Sequence, residues 1–263
     1  MNIGASSSCF YPLETELSLE RLAKAGIRTT EIFFNSPSEL ENDFLKKLCS
    51  LRNEYGMEII AVHPFMSFSE GFNFFSEYYR RFEDSLEYYK RFFEAAATLG
   101  AKYFVLHGAK GERVIPDEEY ARRLSLFIEE GKHFGVAVTH ENVVHYAGEK
   151  PEFMLRLQSL LGSDFRMTLD LKQARRAGVD PFEFACALGK SIVHVHVSDE
   201  RQGEKCAAPD GKGNFDFSRF FSLMNSLGYD GAYMVELYRR DFTDEKHIRK
   251  CVDYLTETAK RCL

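Results

Sequence analysis

Six ionisable residues stand where predicted β-strands end, and their types indicate metal chemistry. They are His63, His107, Glu141, Asp170, His196 and Glu236. The carboxyl ends of barrel strands meet at one mouth, so these side chains are expected to converge. The last four offer three carboxylates and one imidazole, which suit Mn²⁺, Mg²⁺, Co²⁺ or Zn²⁺, and clustered carboxylates repel one another unless a cation compensates them. The sequence therefore predicts one divalent metal ion with four ligands: Glu141, Asp170, His196 and Glu236.

The stretch "SIVHVHVSDE" at 191–200 places two histidines in a run of valines. Successive side chains of a strand point to opposite faces, so His194 and His196 share one face. His196 is expected at the mouth, with His194 one layer below as a hydrogen-bonded interior residue. The same alternation predicts Thr139 in the barrel interior below Glu141 and Met234 below Glu236.

Short apolar runs alternate with amphipathic helical stretches along the whole chain, and no linker interrupts them. The strand candidates are 2–7, 29–34, 57–63, 102–107, 136–141, 166–170, 192–197 and 232–237. Eight strand–helix units in 263 residues match a (β/α)8 barrel, which typically needs ~250. We therefore expect an α/β fold, a TIM barrel, with residues 1–263 as a single domain. A doubly wound open sheet is the alternative, but "ASSSCF" lacks the glycines of its usual first turn.

Composition excludes several classes of protein. A net charge of −6 and a pI near 5.8 argue against a nucleic-acid partner, which requires a basic face. Apolar runs fall short of the ~20 residues that span a bilayer, and "MNIGASSSCFYPL" lacks the features of a signal peptide. We expect a cytoplasmic protein without membrane association, and the sequence is compatible with a homo-oligomer. Six widely spaced cysteines without CxxC fit reduced thiols.

Residues 65–93 are dense in Phe and Tyr. From Phe75 to Phe93 apolar residues recur at helical spacing with charges between them, which predicts a long helix packed on the barrel. Phe65, Phe68 and Phe72 precede this pattern, in a predicted long loop after the third strand. Such a loop lies at the mouth of a barrel, so these rings are candidates to cover the apolar face of a substrate.

Five motifs make essentially the whole chain resemble a known family. They are "VTHENV" with Glu141, "MTLDLKQA" with Asp170, "VHVHVSD" with His196, "GKGNFDF" at 211–217 and "YMVELY" with Glu236. Their order resembles the xylose isomerase-like barrels, which include sugar isomerases and epimerases and, more distantly, endonuclease IV. The resemblance implies that the four predicted ligands hold one divalent metal ion. It also implies that Glu141 and Glu236 move protons on a sugar or sugar phosphate.

The chain departs from the family's pattern at two places. Relatives usually carry a histidine three residues after the aspartate, where this chain has Gln173; we expect Gln173 to bind substrate. Endonuclease IV also needs Asp-x-His before "GKGN", where this chain has Lys205 and Ala207, so its three-zinc site cannot be built. His63 and His107 match the remaining histidines of that larger site. In the one-metal branches such residues line the substrate pocket, which is the role expected here.

Basic residues in predicted loops near the mouth are candidates to hold a substrate phosphate or carboxylate. They are Lys172, Arg201, Lys205 and Lys212. Arg201 joins His63, His107 and Gln173 as a predicted substrate-binding residue, whereas solvated loop charges are the commoner outcome for such lysines. The segment "GKGNFDF" is expected to be structural, with Asp216 or Ser218 capping the next helix.

The mechanism implied is proton abstraction next to a carbonyl group, through an enediolate. Return of the proton to the opposite face of the same carbon gives epimerisation, and return to the neighbouring carbon gives aldose–ketose isomerisation. The same site can eliminate water from a polyol ketone, as inosose and dehydroshikimate dehydratases do. A non-catalytic sugar-binding barrel and, less favoured, an abasic-site endonuclease complete the alternatives.

Overall fold

Eight parallel strands pair into a closed barrel in the computed structural model, which describes residues 1–262. Its strands are β1 (Asn2–Ser6), β2 (Thr29–Phe33), β3 (Glu58–His63), β4 (Tyr103–Leu106), β5 (Ala137–Glu141), β6 (Met167–Asp170), β7 (Ile192–Val197) and β8 (Ala232–Val235). Each strand pairs with its neighbours in sequence, and β8 closes the ring on β1. The predicted TIM barrel is therefore confirmed.

Helices surround the barrel and connect its strands. They are α1 (Thr15–Lys24), α2 (Asn42–Tyr55), α3 (Glu70–Phe74), α4 (Tyr79–Leu99), α5 (Asp117–His133), α6 (Pro151–Leu161), α7 (Leu171–Arg176), α8 (Pro181–Leu188), α9 (Phe217–Ser226) and α10 (Glu245–Lys260). Asp216 caps α9 by accepting a hydrogen bond from the backbone N–H of Arg219 at 2.9 Å, as the sequence indicates. Within residues 1–262 no helix is both long and apolar enough to cross a membrane.

Two segments differ from the sequence-based expectation. The aromatic helix begins at Tyr79 rather than Phe75, because a separate short helix, α3, occupies part of the predicted loop after β3. The predicted loop after β7 contains an antiparallel hairpin of Asp199–Arg201 and Glu204–Ala207. Both segments lie at the carboxyl end of the barrel, where they add walls to the mouth.

The barrel interior follows the predicted alternation of side chains. Thr139, Thr168 and Met234 are fully buried. The hydroxyl groups of Thr139 and Thr168 are 2.7 Å apart, so these polar side chains of β5 and β6 satisfy each other. Glu141 and Asp170, two residues further along each strand, therefore face the mouth.

An aromatic layer packs the long helix α4 against the barrel wall. Phe93 of α4 makes an edge-to-face contact with Phe104 of β4, with ring centroids 5.3 Å apart. Phe127 of α5 lies 5.6 Å from the same ring. Such contacts add to the hydrophobic stabilisation of buried rings. They fix the end of β4, after which His107 enters the mouth.

Candidate active site

The four predicted metal ligands lie together at the carboxyl end of the barrel, and we call them the four-ligand group. They are Glu141, Asp170, His196 and Glu236, each within one residue of the carboxyl end of the neighbouring strands β5, β6, β7 and β8. One ligand atom from each lies within 4.8 Å of the others. His196 Nδ1 is 3.2 Å from Glu141 Oε1 and 3.5 Å from Glu236 Oε2. The same nitrogen is 3.7 Å from Asp170 Oδ2.

Positive groups keep the two glutamates of this group ionised. Burial opposes ionisation of Glu141, but the charge and hydrogen bond of His107, with a contribution from His196, lower its pKa to about 2. Burial also opposes ionisation of Glu236, yet Lys172 and His196 lower its pKa to about 2. Both side chains are therefore carboxylates at neutral pH and are able to accept a proton.

The donor set of the four-ligand group fits a divalent cation. Three carboxylates buried in one place require positive charge close by. Asp170 Oδ2 is buried and makes no well-aligned hydrogen bond within residues 1–262, although Lys172 Nζ lies 3.1 Å away. Carboxylate oxygens and an imidazole nitrogen are ligands that zinc and the harder divalent ions accept. The geometry and the chemistry of this group thus suit a divalent metal ion.

Lys172 is a buried residue of α7, not the loop residue that the sequence analysis expected. Its ammonium Nζ lies 2.7 Å from Glu236 Oε2 and 3.1 Å from Asp170 Oδ2, and its side chain is only 5% exposed. Lys172 is buried because no loop separates β6 from α7. Asp170 ends β6 and also caps α7 by accepting from the backbone N–H of Gln173, so the helix begins at the mouth itself. Lys172 is therefore an internal cation of the site.

Glu31 is a site residue that the sequence analysis missed. It lies in the middle of β2 and is fully buried. Its Oε2 is 2.8 Å from His194 Nε2 and 3.1 Å from His196 Nε2. Burial opposes its ionisation, but His196 and His63 keep the pKa of Glu31 well below its usual value. An acid within the apolar run "TTEIFF" was the available signal.

The contact with Glu31 orients the ring of His196. Because Nε2 of His196 faces Glu31, Nδ1 is left facing the four-ligand group. A carboxylate behind a ligating histidine fixes its tautomer and increases the basicity of the ligand nitrogen. His194 binds the same carboxylate and is fully buried, which confirms its predicted place as a hydrogen-bonded interior residue. We assign Glu31 as a positioning residue.

The two histidines predicted to line the substrate pocket differ in their surroundings. His107 Nε2 is 2.9 Å from Glu141 Oε2, and its side chain is 14% exposed. His63 is almost fully buried, with Nε2 3.4 Å from Glu31 Oε1. Its ring stacks on Phe33 at 5.4 Å between centroids. His107 therefore borders the mouth, whereas His63 belongs to the buried layer behind it.

A cavity of about 560 Å³ opens beside Glu236. Aromatic rings form much of its wall, and the rest is mostly polar. The rings are Tyr11, Phe33, Phe65, Phe68 and Tyr238, and the polar residues are Ser8, Asn35, Lys172, Glu236 and Arg239. Phe65 and Phe68 thus lie where the sequence analysis expected a cover for an apolar substrate face. Phe72 does not line this cavity; the Arg81 guanidinium lies 3.9 Å from the centre of its ring. A polar end and an apolar wall are typical of small-molecule sites.

Comparison with known families decides the classification of this barrel. The family model described as "Xylose isomerase-like TIM barrel" matches residues 19–258. The chain belongs to this family. The match spans most of the chain, so the resemblance inferred from the motifs is confirmed.

A sequence relative and two solved structures align along nearly the whole chain. An uncharacterized protein of Methanocaldococcus jannaschii is 27% identical over 265 residues, which covers 95% of this chain and 88% of that protein. The structure described as a D-tagatose 3-epimerase-like protein has a TM-score of 0.80 at 23% identity and covers 99% of both chains. An IolI protein with a bound zinc atom has a TM-score of 0.76 at 18% identity and covers 100% of this chain and 99% of its own. These likenesses show a shared fold.

The side chains of two predicted substrate-binding residues are held by protein partners outside the four-ligand group of this family member. Gln173 Oε1 accepts from the backbone N–H of Val144 at 3.4 Å and from Arg176 at 3.5 Å. Arg201 donates to Asp210 Oδ1 at 3.1 Å and lines a second cavity next to the first. Gln173 therefore tethers α7 to the segment after β5, and Arg201 belongs to the neighbouring cavity.

Glu70 of α3 is a fully buried acid close to the site. Its Oε2 accepts a hydrogen bond from the backbone N–H of Gly108 at 2.6 Å. Gly108 has φ of +86°, and a Cβ there would lie 2.4 Å from Tyr120 Oη, so only glycine fits. Burial raises the pKa of Glu70 to about 8, although His107 opposes the shift. Glu70 is thus mostly protonated at neutral pH.

Replacing Glu70 should change how stability depends on pH. Between the ordinary pKa of 4.5 and about 8, the folded chain holds a proton that the unfolded chain has lost. The free energy of unfolding is therefore highest below the lower pKa, falls as pH rises between the two values, and is constant above the upper one. In the wild-type chain this fall should amount to up to a few kcal/mol in the free energy of unfolding, and Glu70→Gln should abolish it. Urea unfolding at pH 5 and pH 8.5 measures it. The exposed Glu112→Gln is the matched control, and an unchanged pH dependence in Glu70→Gln would contradict the assignment.

Proposed function

We propose that the chain is a metal-dependent sugar isomerase or epimerase that moves a proton next to a carbonyl group. One observation carries the proposal: two ionised glutamates, Glu141 and Glu236, approach the same His196 nitrogen from different strands, next to a cavity of sugar size. Membership of the family and the fold shared with epimerases of ketoses support it. A small sugar is therefore the proposed substrate class.

The chain holds each glutamate through its second oxygen. His107 contacts Glu141 Oε2, while Oε1 faces His196. Ser8 donates to Glu236 Oε1 at 3.3 Å, and Lys172 contacts Oε2. These contacts fix the direction of both carboxylates before substrate arrives, which lowers the cost of reaching the reactive geometry.

The two glutamates divide the proton transfers between them. Strands β5 and β8 have β6 and β7 between them, so Glu141 and Glu236 reach the substrate from different sides. One carboxylate removes the proton beside the carbonyl group, and the other returns a proton to the planar enediolate. Return to the opposite face of the same carbon inverts it, and return to the neighbouring carbon moves the carbonyl group. Glu236 borders the cavity directly, which places it next to the bound sugar.

The four-ligand group would hold the metal ion that this chemistry uses. When bound, a divalent ion supplies positive charge to the carbonyl and hydroxyl oxygens of the sugar, where negative charge develops. The zinc atom in the IolI neighbour supports a divalent ion here, because both chains share the fold. With the ion bound, His107 would still orient Glu141 and Lys172 would still orient Glu236.

Deuterium exchange tests the proposed function without knowledge of the product. The protein, loaded in turn with Mn²⁺, Mg²⁺, Co²⁺ or Zn²⁺, is incubated with a panel of ketoses and ketose phosphates in deuterated water. Exchange at a carbon next to the carbonyl group, followed by NMR, supports the proposal. Absence of exchange with every sugar and metal overturns it.

Metal analysis provides a second prediction. We expect about one divalent ion per chain, and Asp170→Asn should weaken its binding by roughly 10-fold or more because a neutral amide replaces a charged ligand. Asparagine is preferable to alanine here, since Asp170 Oδ1 also caps α7 and an amide oxygen can still accept that hydrogen bond. Elemental analysis and chelator competition measure both quantities. Two or three tightly bound ions per chain would contradict a single four-ligand site.

A further inference from the structure

A second cavity, of about 1010 Å³, adjoins the first and is lined by basic residues. Its basic side chains are Arg176, Arg201, Lys205, Arg239 and Arg240. They come from α7, from the hairpin after β7 and from the segment after β8, which are the connections at the carboxyl ends of three consecutive strands. We call this space the cationic cavity.

Two guanidinium groups of this cavity, those of Arg176 and Arg239, have no carboxylate partner among residues 1–262. Arg176 donates to the hydroxyl of Tyr238 at 2.6 Å. Arg239 donates to the carbonyl oxygens of Phe242 at 3.0 Å and Thr243 at 3.2 Å. These acceptors carry no charge, so the positive charge of both arginines stays available to a ligand.

Two carboxylates also line the cationic cavity, but they leave its charge positive. Of its five basic side chains, Arg201 is paired with Asp210 at 3.1 Å, which leaves four against Glu204 and Asp241. Asp241 accepts from the backbone N–H of Tyr238 at 3.2 Å and lies 3.7 Å from Arg240, so its charge is already partly compensated. The net positive charge favours an anionic ligand.

The ring of Tyr238 separates the cationic cavity from the four-ligand group. Lys172 Nζ, which contacts Glu236, lies 5.1 Å from the centre of this ring, and the Arg176 guanidinium lies 6.0 Å from it. Tyr238 also lines both cavities. In a sugar phosphate the phosphorus lies several bonds from the carbonyl carbon, on the order of 6–8 Å away. Tyr238 and Arg239 line both cavities, so a sugar phosphate with its carbonyl end in the first cavity would direct its phosphate toward the second.

We propose that the cationic cavity binds the phosphate group of a sugar phosphate whose carbonyl end lies at the four-ligand group. The inference rests on the proposed function and specifies its substrate class. Arginine side chains bind phosphate through paired N–H groups, and phosphate sites of TIM barrels are commonly built from the loops after strands 7 and 8. The hairpin after β7 and the segment after β8 supply four of the five basic residues here.

Matched pairs of substrates and variants test the proposal. Deuterium exchange is compared for a ketopentose, its 5-phosphate and the corresponding uronate, and binding of inorganic phosphate is measured by calorimetry. Arg176→Gln and the exposed Lys205→Gln are expected to raise KM for the phosphate ester by about 10-fold or more, with little change for the free ketose. Arg219→Gln, an exposed arginine of α9 outside both cavities, is the charge-matched control.

The outcomes separate this proposal from the proposed function. Exchange of the free ketose with no preference for its phosphate, or a preference for the uronate, overturns the phosphate assignment and leaves the isomerase or epimerase function standing. Inorganic phosphate binding that Arg176→Gln abolishes, without exchange in any sugar, supports the anion site and overturns the proposed function. Variants indistinguishable from Arg219→Gln remove the cationic cavity from substrate binding, and Lys205→Gln decides the matter if Arg176→Gln fails to fold.

Discussion

Glu141→Gln and Glu236→Gln are each expected to reduce proton exchange by at least about 10³-fold. Glutamine keeps the size of the side chain and one oxygen that accepts hydrogen bonds, but it cannot take up a proton. Each wild-type carboxylate is ionised at neutral pH, with a pKa of about 2, so each loses a working proton acceptor on substitution. Deuterium incorporation into substrate, followed by NMR, measures the loss.

Two further variants and a metal assay make this result specific. His107→Asn should weaken substrate binding with a smaller loss of rate, because His107 orients Glu141 and is not itself assigned a proton transfer. Glu118→Gln changes an exposed glutamate of α5 and should have no effect. Elemental analysis shows whether each variant retains the metal ion, since both glutamates are also proposed ligands. Full exchange in a metal-loaded Glu141→Gln or Glu236→Gln protein would remove that residue from the mechanism.

The fold could be predicted from local patterns because each barrel unit is short and repeats the same signals. All eight predicted strands agree with the structure to within two residues at each end. The start of a helix could also be predicted where a capping residue marks it, as Asp216 does for α9. The mouth residues could be predicted because side chains at the carboxyl ends of barrel strands converge, as Glu141, Asp170, His196 and Glu236 do.

Two features of the site could not be predicted from the sequence, because they depend on contacts across the barrel. Glu31 lies in the middle of β2, where a search of strand ends does not reach, and its role comes from histidines of β3 and β7. Lys172 follows Asp170 by two residues, which suggests a loop. Its burial arises because α7 begins at the mouth and because Glu236, from a distant strand, attracts the ammonium group. Neither partner can be identified from local sequence.

The same contacts give the site an ordered charge pattern. From the barrel interior outward, Glu31 faces His196, and His196 faces the carboxylates of the four-ligand group. Burial lowers the pKa of His196, but Glu31 and Glu236 raise it well above its ordinary value. Positive and negative groups thus alternate, which reduces the cost of burying so many charges in one place. Replacing Glu31, the innermost carboxylate, tests whether this arrangement of charges controls how well His196 binds the metal ion.

Glu31→Gln is expected to lower metal affinity by about 10- to 100-fold while the barrel stays folded. The amide has nearly the same shape, so packing in β2 is conserved. It loses the negative charge that holds the Nε2–H group of His196, and its NH₂ group can turn toward the ring instead. Nδ1 of His196 would then be a weaker and less well-oriented ligand. Chelator competition measures the affinity, and imidazole ¹⁵N spectra report the tautomer.

A second buried glutamate provides the matched control. Glu39 is 8% exposed, lies outside the site, and accepts hydrogen bonds from Thr15 and from the backbone N–H of Asn35. Glu39→Gln therefore removes a buried carboxylate without touching His196, so any loss of stability that it shares with Glu31→Gln is a general cost of the change. Lower metal affinity and an altered His196 tautomer in Glu31→Gln alone would establish a positioning role. Unchanged affinity in a folded Glu31→Gln protein would show that β7 and the four-ligand group orient His196 without the carboxylate behind it.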